Sequence, residues 1–248
     1  DTVVVPAGKA TWGSNVVINK GIILRGMGID QTVITCNYAG TGQITSPGGY
    51  FITYEPSLPS EDRSFRLTGF TFNLNSISKT GGLLLRNITN YHQTKIRIDH
   101  TKWQNVADGK AIIWVYGYFW GVADNNYFDT PGRFRFYALD TATWANETFN
   151  FGSANNFYME DNFFRCHRGD YWYIEGAGRV AIRHNEIHLD VRDDYYPVVD
   201  VHGNQANAWS GAMGFEGYNN TIYASYSNRF IDMRAGRTLF YNNSFSQS

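Results

Sequence analysis

An asparagine recurs along this chain inside one short pattern, apolar-x-x-Asn-x-apolar, and no other feature restricts the fold as much. The pattern is clearest in Met159-Glu160-Asp161-Asn162-Phe163-Phe164 and Ile182-Arg183-His184-Asn185-Glu186-Ile187. Looser copies end in Asn126-Tyr127-Phe128, Asn220-Thr221-Ile222 and Asn243-Ser244-Phe245, and Thr101-Lys102-Trp103 carries Thr in place of Asn. The anchors at 101, 126, 162, 185, 220 and 243 are separated by 25, 36, 23, 35 and 23 residues. The base period is therefore 23 to 25 residues, interrupted by insertions.

A period of this size suits a leucine-rich repeat or one coil of a β-helix. The leucine-rich pattern is missing, and the runs around each anchor alternate apolar and polar residues at period two, as strands do. An asparagine at a fixed corner is physically reasonable. It tolerates left-handed backbone angles, and its amide can hydrogen-bond to the same group one coil above. These asparagines are expected to build turns, not to carry chemistry.

The repeat, together with Asp1-Thr2-Val3-Val4-Val5-Pro6-Ala7-Gly8, Val16-Val17-Ile18, Ile22-Ile23-Leu24-Arg25-Gly26 and Thr32-Val33-Ile34, resembles the right-handed parallel β-helix superfamily of pectate-lyase-like (pectin-lyase-like) proteins. The resemblance spans nearly the whole chain and implies one all-β domain over residues 1–248, a single-stranded right-handed parallel β-helix. It says little about chemistry, because lyases, hydrolases, epimerases and phage tailspikes share the fold. Such solenoids need polar caps. None is visible at either end of this sequence, so a homo-oligomer joined through uncapped ends is one expectation.

Composition agrees with a folded domain: 43% of residues are hydrophobic and 17% aromatic. With 21 basic and 22 acidic residues the formal charge is −1, which provides no footprint for nucleic acid. No run approaches the ~20 apolar residues of a membrane span. Cys36 and Cys166, far apart in sequence, read as two buried free thiols in preference to a long-range disulfide. Four sequons, at Asn87, Asn146, Asn219 and Asn242, fit a secreted chain but arise by chance in so Asn-rich a sequence.

A second strand family emerges when apolar residues are matched between coils. The segments Leu83 to Arg86, Ile113 to Tyr116, Tyr137 to Asp140, Trp172 to Glu175, Val199 to His202 and Ile231 to Arg234 align. Their outward positions then form two columns: Leu84, Trp114, Ala138, Tyr173, Asp200, Asp232 and Arg86, Tyr116, Asp140, Glu175, His202, Arg234. Neighbouring strands stack ~4.8 Å apart, so carboxylates in these columns would crowd one another and shift in pKa. The insertions 141–156, 188–197 and 204–211 would wall a groove. Trp144, Phe149, Tyr195, Tyr196 and Trp209 on them, with Trp114, Tyr116 and Tyr173 on the sheet, would offer flat faces to sugar rings.

The expectation is a protein of the extracellular space or of a cell or virion surface that binds and cleaves a polysaccharide. Its catalytic candidates are Asp140, Glu175, Asp200, His202, Asp232 and Arg234, and its substrate-binding candidates are Arg86, Trp114, Tyr116, Tyr173 and Trp209. A hydrolase would use Asp140 with Glu175, or Asp200 with Asp232, at a separation suited to retention. A lyase would use His202 or Arg234 as base beside a uronate carboxylate neutralised by Ca2+ or Arg86. The alternatives are a noncatalytic adhesin or tailspike-like binding module and a structural solenoid that self-assembles. Other clusters read as ordinary structure: Arg165 to Asp170, which could touch an anionic substrate, as a turn that follows a strand, and Asp190, Asp193 and Asp194 as an acidic loop with no calcium motif.

Overall fold

The computed structural model describes residues 1–139, 148–190, 196–204, 211–226 and 229–247. Among the described residues, strands that follow one another in sequence do not pair as hairpins; each pairs in parallel with a strand one coil away. The chain is an all-β parallel solenoid.

Each full coil contributes three strands. One ladder runs through Val16–Ile18, Tyr50–Tyr54, Gly81–Arg86, Ala111–Tyr116, Arg133–Tyr137, Trp172–Glu175, Val199–Val201 and Ile231–Met233, and is referred to below as the front sheet. The other two ladders are fused into one sixteen-stranded sheet, because Phe65–Asn73 and Gln93–Gln104 run unbroken through the corner between them.

That corner explains the repeat. Gly69, His100, Asn125, Asp161, His184, Asn219 and Asn242 all have φ between 50° and 78°, so one left-handed residue per coil turns the chain. The left-handed residue is the one before the repeated asparagine, not the asparagine itself. At Gly69 the turn also requires glycine for space, since a Cβ would meet the Gly26 carbonyl oxygen at 2.7 Å.

The asparagines stack instead. Backbone N–H groups of Asn126, Asn162, Asn185 and Asn220 donate to the Oδ1 of the asparagine one coil on, at 2.9 to 3.1 Å. Each Nδ2 donates back to a main-chain carbonyl of the preceding coil, as Asn162 does to Ala123 at 2.9 Å. Four of the amides are buried and fully engaged, which is how a polar column is tolerated beside a dry core.

Inside, the solenoid is filled by layered side chains. Front-sheet residues Leu83, Ile113, Phe134, Trp172 and Val199 form one inward column and Leu85, Val115, Phe136, Ile174 and Val201 the next. They meet aromatics of the other walls, such as Phe128 and Phe164, stacked at 5.1 Å and both edge-on to Phe134. Burying a side chain of this size contributes roughly 1.5–3 kcal/mol. Cys36 and Cys166 lie in this core as free thiols. Ligand chemistry is left to the outside.

The register corrects one coil of the sequence alignment. Phe134 and Phe136, not Tyr137 and Leu139, occupy the inward places opposite Trp172 and Ile174. Tyr137 therefore pairs with Glu175, and the outward place between Trp114 and Tyr173 belongs to Arg135 rather than Ala138. The strand is Arg133–Tyr137, and Asp140 lies outside the described residues.

Candidate functional site

The outer surface of the front sheet is not open along its length. Leu84 and Trp114 are buried, packed with Tyr50 and Ala111 in a small apolar cluster of their own. The segment before Tyr50 lies over them: Tyr50 donates to the Ile44 carbonyl at 3.0 Å, and Arg86 Nε to the Thr45 carbonyl at 2.9 Å. Arg86 also pairs with Glu55. Arg86 and Trp114 thus secure a covering loop.

Beyond Trp114 the sheet emerges into a cleft of about 770 Å³. Its floor is Arg133, Arg135, Tyr173, Asp200, His202, Asp232 and Arg234. Its rim comes from the turn holding Arg168 and Asp170, from Tyr196 and Pro197, and from Arg229. Five arginines face three aspartates on a chain whose overall formal charge is −1. The cleft is a local concentration of positive charge.

That charge is uneven. At one end Arg234 Nη2 holds both Asp200 oxygens, at 2.6 and 2.5 Å, and Asp232 lies 3.7 Å from both Arg229 and Arg234. Burial works against the Arg234 charge, but hydrogen bonds and attraction to Asp200 outweigh it and raise its pKa. Arginine and carboxylate balance there.

At the other end Arg133, Arg135 and Arg168 share the cleft with Asp170, which is 3.9 Å from Arg133. The Nε atoms of Arg133 and Arg135 are buried with no hydrogen-bond acceptor. Arg135 is held by ring faces instead, 4.8 Å from the centre of Trp114 and 5.0 Å from that of Tyr173. Burial, with repulsion from Arg168 and Arg135, pushes Arg133 down to about 10. An anion placed here would relieve that repulsion.

His202 sits between the two ends, mostly buried, with its ring centre 4.8 Å from that of Tyr173. Its Nδ1 is 2.9 Å from the Gly203 carbonyl. A carbonyl only accepts, so Nδ1 carries the hydrogen and, in the neutral ring, Nε2 keeps the lone pair. The Tyr173 phenol is raised by burial first and by the Glu175 carboxylate next to it second, while Arg135 acts in the opposite direction. It stays a proton donor.

Of the sequence candidates, the cleft gathers Tyr173, Asp200, His202, Asp232 and Arg234. Glu175 stands just behind, beside Tyr137 and Tyr173. Tyr116 lies flat on Tyr137, with ring centres 5.3 Å apart, so that face is taken up inside the protein. Phe149 is buried against Tyr118, Ala177 and Met213. Asp140, Trp144, Tyr195 and Trp209 lie outside the described residues. Aromatic rings on this sheet cover arginine, histidine or one another, so polar groups dominate the cleft surface.

Sequence reasoning passed over Arg133, Arg135 and Arg229, and it weighed Arg168 and Asp170 against an anionic substrate but preferred a turn. The first two were signalled by the strict alternation Arg133-Phe134-Arg135-Phe136. Arg165 and Cys166 end the strand Phe163–Cys166 rather than starting a turn, and the bend that follows delivers Arg168 and Asp170 to the rim.

No family model, curated protein or solved structure matches this chain. Among the described residues no three His, Cys, Asp or Glu side chains are grouped to hold a metal ion. Asp200 and Asp232 turn their oxygens to arginine, a poor fit to Ca2+, which takes six to eight oxygens. No helix among them is long and apolar enough to cross a membrane.

Proposed function

We propose that this protein binds an acidic polysaccharide in the front-sheet cleft and cleaves it by β-elimination outside the cell or at a cell or virion surface. The observation that carries this reading is the pair Arg133 and Arg135, whose buried Nε atoms have no acceptor, in the same cleft as an imidazole whose lone pair is on Nε2. Resemblance of the repeat to pectate-lyase-like proteins supports it at the level of fold.

A uronate carboxylate paired with Arg133 and Arg135 has its charge neutralised, which acidifies the hydrogen on the adjacent C5. His202 Nε2 takes that proton, and the bond from C4 to the glycosidic oxygen breaks. The pair of Arg234 with Asp200 fixes the floor next to His202. Hydrolysis is less well supported: Asp200 has both oxygens on one guanidinium nitrogen, neither directed at a substrate bond.

The test is ultraviolet absorbance during incubation with a panel of polyuronates, since elimination creates a conjugated double bond and hydrolysis does not. Rising absorbance with each cut supports the reading. New reducing ends without absorbance would overturn elimination in favour of hydrolysis. Saturable binding with neither signal would leave a recognition module, and no binding of any acidic glycan would remove the proposal altogether.

A further inference from the structure

The placement of Tyr173 next to His202 restricts which uronates such a cleft can process. This inference rests on the elimination proposed above and goes beyond it. Tyr173 and Asp200 are opposed on neighbouring strands, and His202 follows two residues later on the same outward face. Both rings therefore rise from the same wall, with centres 4.8 Å apart, and both line the cleft.

An elimination needs a base for the C5 hydrogen and a proton for the oxygen that leaves C4. With both groups on one wall, they reach the sugar from one side. We infer that Tyr173 is the general acid partner of His202 and that the cleft performs syn elimination on 4-linked uronates of gluco or manno configuration.

The chemistry balances without a co-reactant. His202 Nε2 removes the C5 proton, that electron pair forms the C4–C5 double bond, and the C4–O bond breaks. The departing oxygen takes the Tyr173 proton and leaves as a new chain end. The proton held by His202 then returns to the adjacent phenolate and resets the pair. Arg135, 5.0 Å from the Tyr173 ring centre, is placed to stabilise that transient phenolate and the substrate carboxylate together.

Stereochemistry makes this selective. In gluco and manno uronates the C5 hydrogen and the C4 oxygen lie on the same side of the ring; in galacto and gulo uronates they lie on opposite sides. Anti elimination would need a donor across the cleft. Among the described residues the other phenol lining the cleft is Tyr196, which is exposed at the rim.

The experiment compares wild-type turnover of glucuronan and polymannuronate with that of polygalacturonate and polyguluronate, read by absorbance of the unsaturated ends. Cleavage confined to the first pair is expected. Cleavage of the second pair, alone or equally well, would overturn the syn assignment while leaving elimination standing; cleavage of neither pair would overturn both. In parallel, Tyr173→Phe keeps the ring that packs on Arg135 and His202. It should lower kcat at least about a hundredfold with KM little changed, and its melting curve should match the wild type. If Tyr196→Phe removes turnover and Tyr173→Phe does not, the acid has been misassigned and the inference fails.

Discussion

Arg234 Nη2 bridges both oxygens of Asp200, at 2.6 and 2.5 Å. The Asp200 side chain is almost wholly buried and Arg234 is about a third exposed, so the pair closes the cleft floor with one partner inside and one at the surface. Asp200→Asn removes the buried charge and leaves Arg234 with Asp232. Because solvent screens Arg234, the loss should be about 1–3 kcal/mol rather than that of a fully buried pair. Urea denaturation measures it, and an unchanged midpoint would mean that the pair does not stabilise the floor.

Arg135 should dominate anion recognition. Arg135→Leu keeps bulk against Trp114 and Tyr173 while removing the charge, and affinity for an acidic oligosaccharide should fall about 10- to 100-fold, in keeping with ~1.5–3 kcal/mol for hydrogen bonds to charged groups. Wild-type binding should weaken as salt rises. Titration calorimetry at two ionic strengths checks both, and a salt-independent affinity would argue against charge recognition.

His202 should separate binding from turnover. His202→Gln retains a side chain able to hydrogen-bond but supplies no base, so kcat should fall by about 10²–10⁴ while oligosaccharide affinity stays within a few-fold. A variant that loses binding and turnover together would show His202 to be a structural support for the cleft.

Asp99, on the strand Gln93–Gln104 of the sixteen-stranded sheet, sets an acid-stability prediction. Burial would raise its carboxyl, but hydrogen bonds from Arg66, His100 and Thr68 outweigh burial and hold it below the ordinary carboxylate value. Its folded pKa lies below its unfolded one, so its stabilisation is fully present above the unfolded value of about 3.9 and is lost as pH falls through the folded value. Asp99→Asn should cost about 3 kcal/mol at neutral pH and have little extra effect at the most acidic end. Thermal melts from pH 7 to pH 2 follow the difference, which should shrink only below about pH 4.

The asparagine column is the last test. Asn162→Ala strands the Asn126 N–H and the Ala123 carbonyl, both of which it satisfies at 2.9 Å. An unsatisfied buried group costs about 1–3 kcal/mol, so the midpoint of unfolding should drop clearly. An unaffected midpoint would show that water replaces the amide.

The solenoid was legible because its corner repeats: Asn162 and Asn185 stand one coil apart, 23 residues along the chain, and their amides meet. The front-sheet columns from Leu83 to Ile113 and from Trp172 to Ile231 were legible for the same reason, as inward residues alternate with outward ones. One coil misled. Both Phe134 with Phe136 and Tyr137 with Leu139 satisfy period two, and alternation alone cannot choose between overlapping frames. That shift of three residues hid Arg133 and Arg135 and promoted Asp140. The place of Arg168 and Arg229 in the cleft was not legible, even though the cluster around Arg168 suggested an anionic substrate, because a connecting segment has no period and its return to the sheet is fixed by tertiary contacts such as Asp170 N–H to the Pro197 carbonyl.

The asparagine column also makes the coil a unit of inheritance. Excision of residues 162–184 would bring Asn185 into the place of Asn162, so that the Asn126 N–H finds the same acceptor and the column closes without a gap. A cut that ends elsewhere would leave the column out of step. Lengthening or shortening of such a chain should therefore proceed in whole turns, whereas loops at the rim can vary residue by residue. The cleft straddles several turns, so gain or loss of a single turn would change which residues face its substrate while the core beneath stays packed.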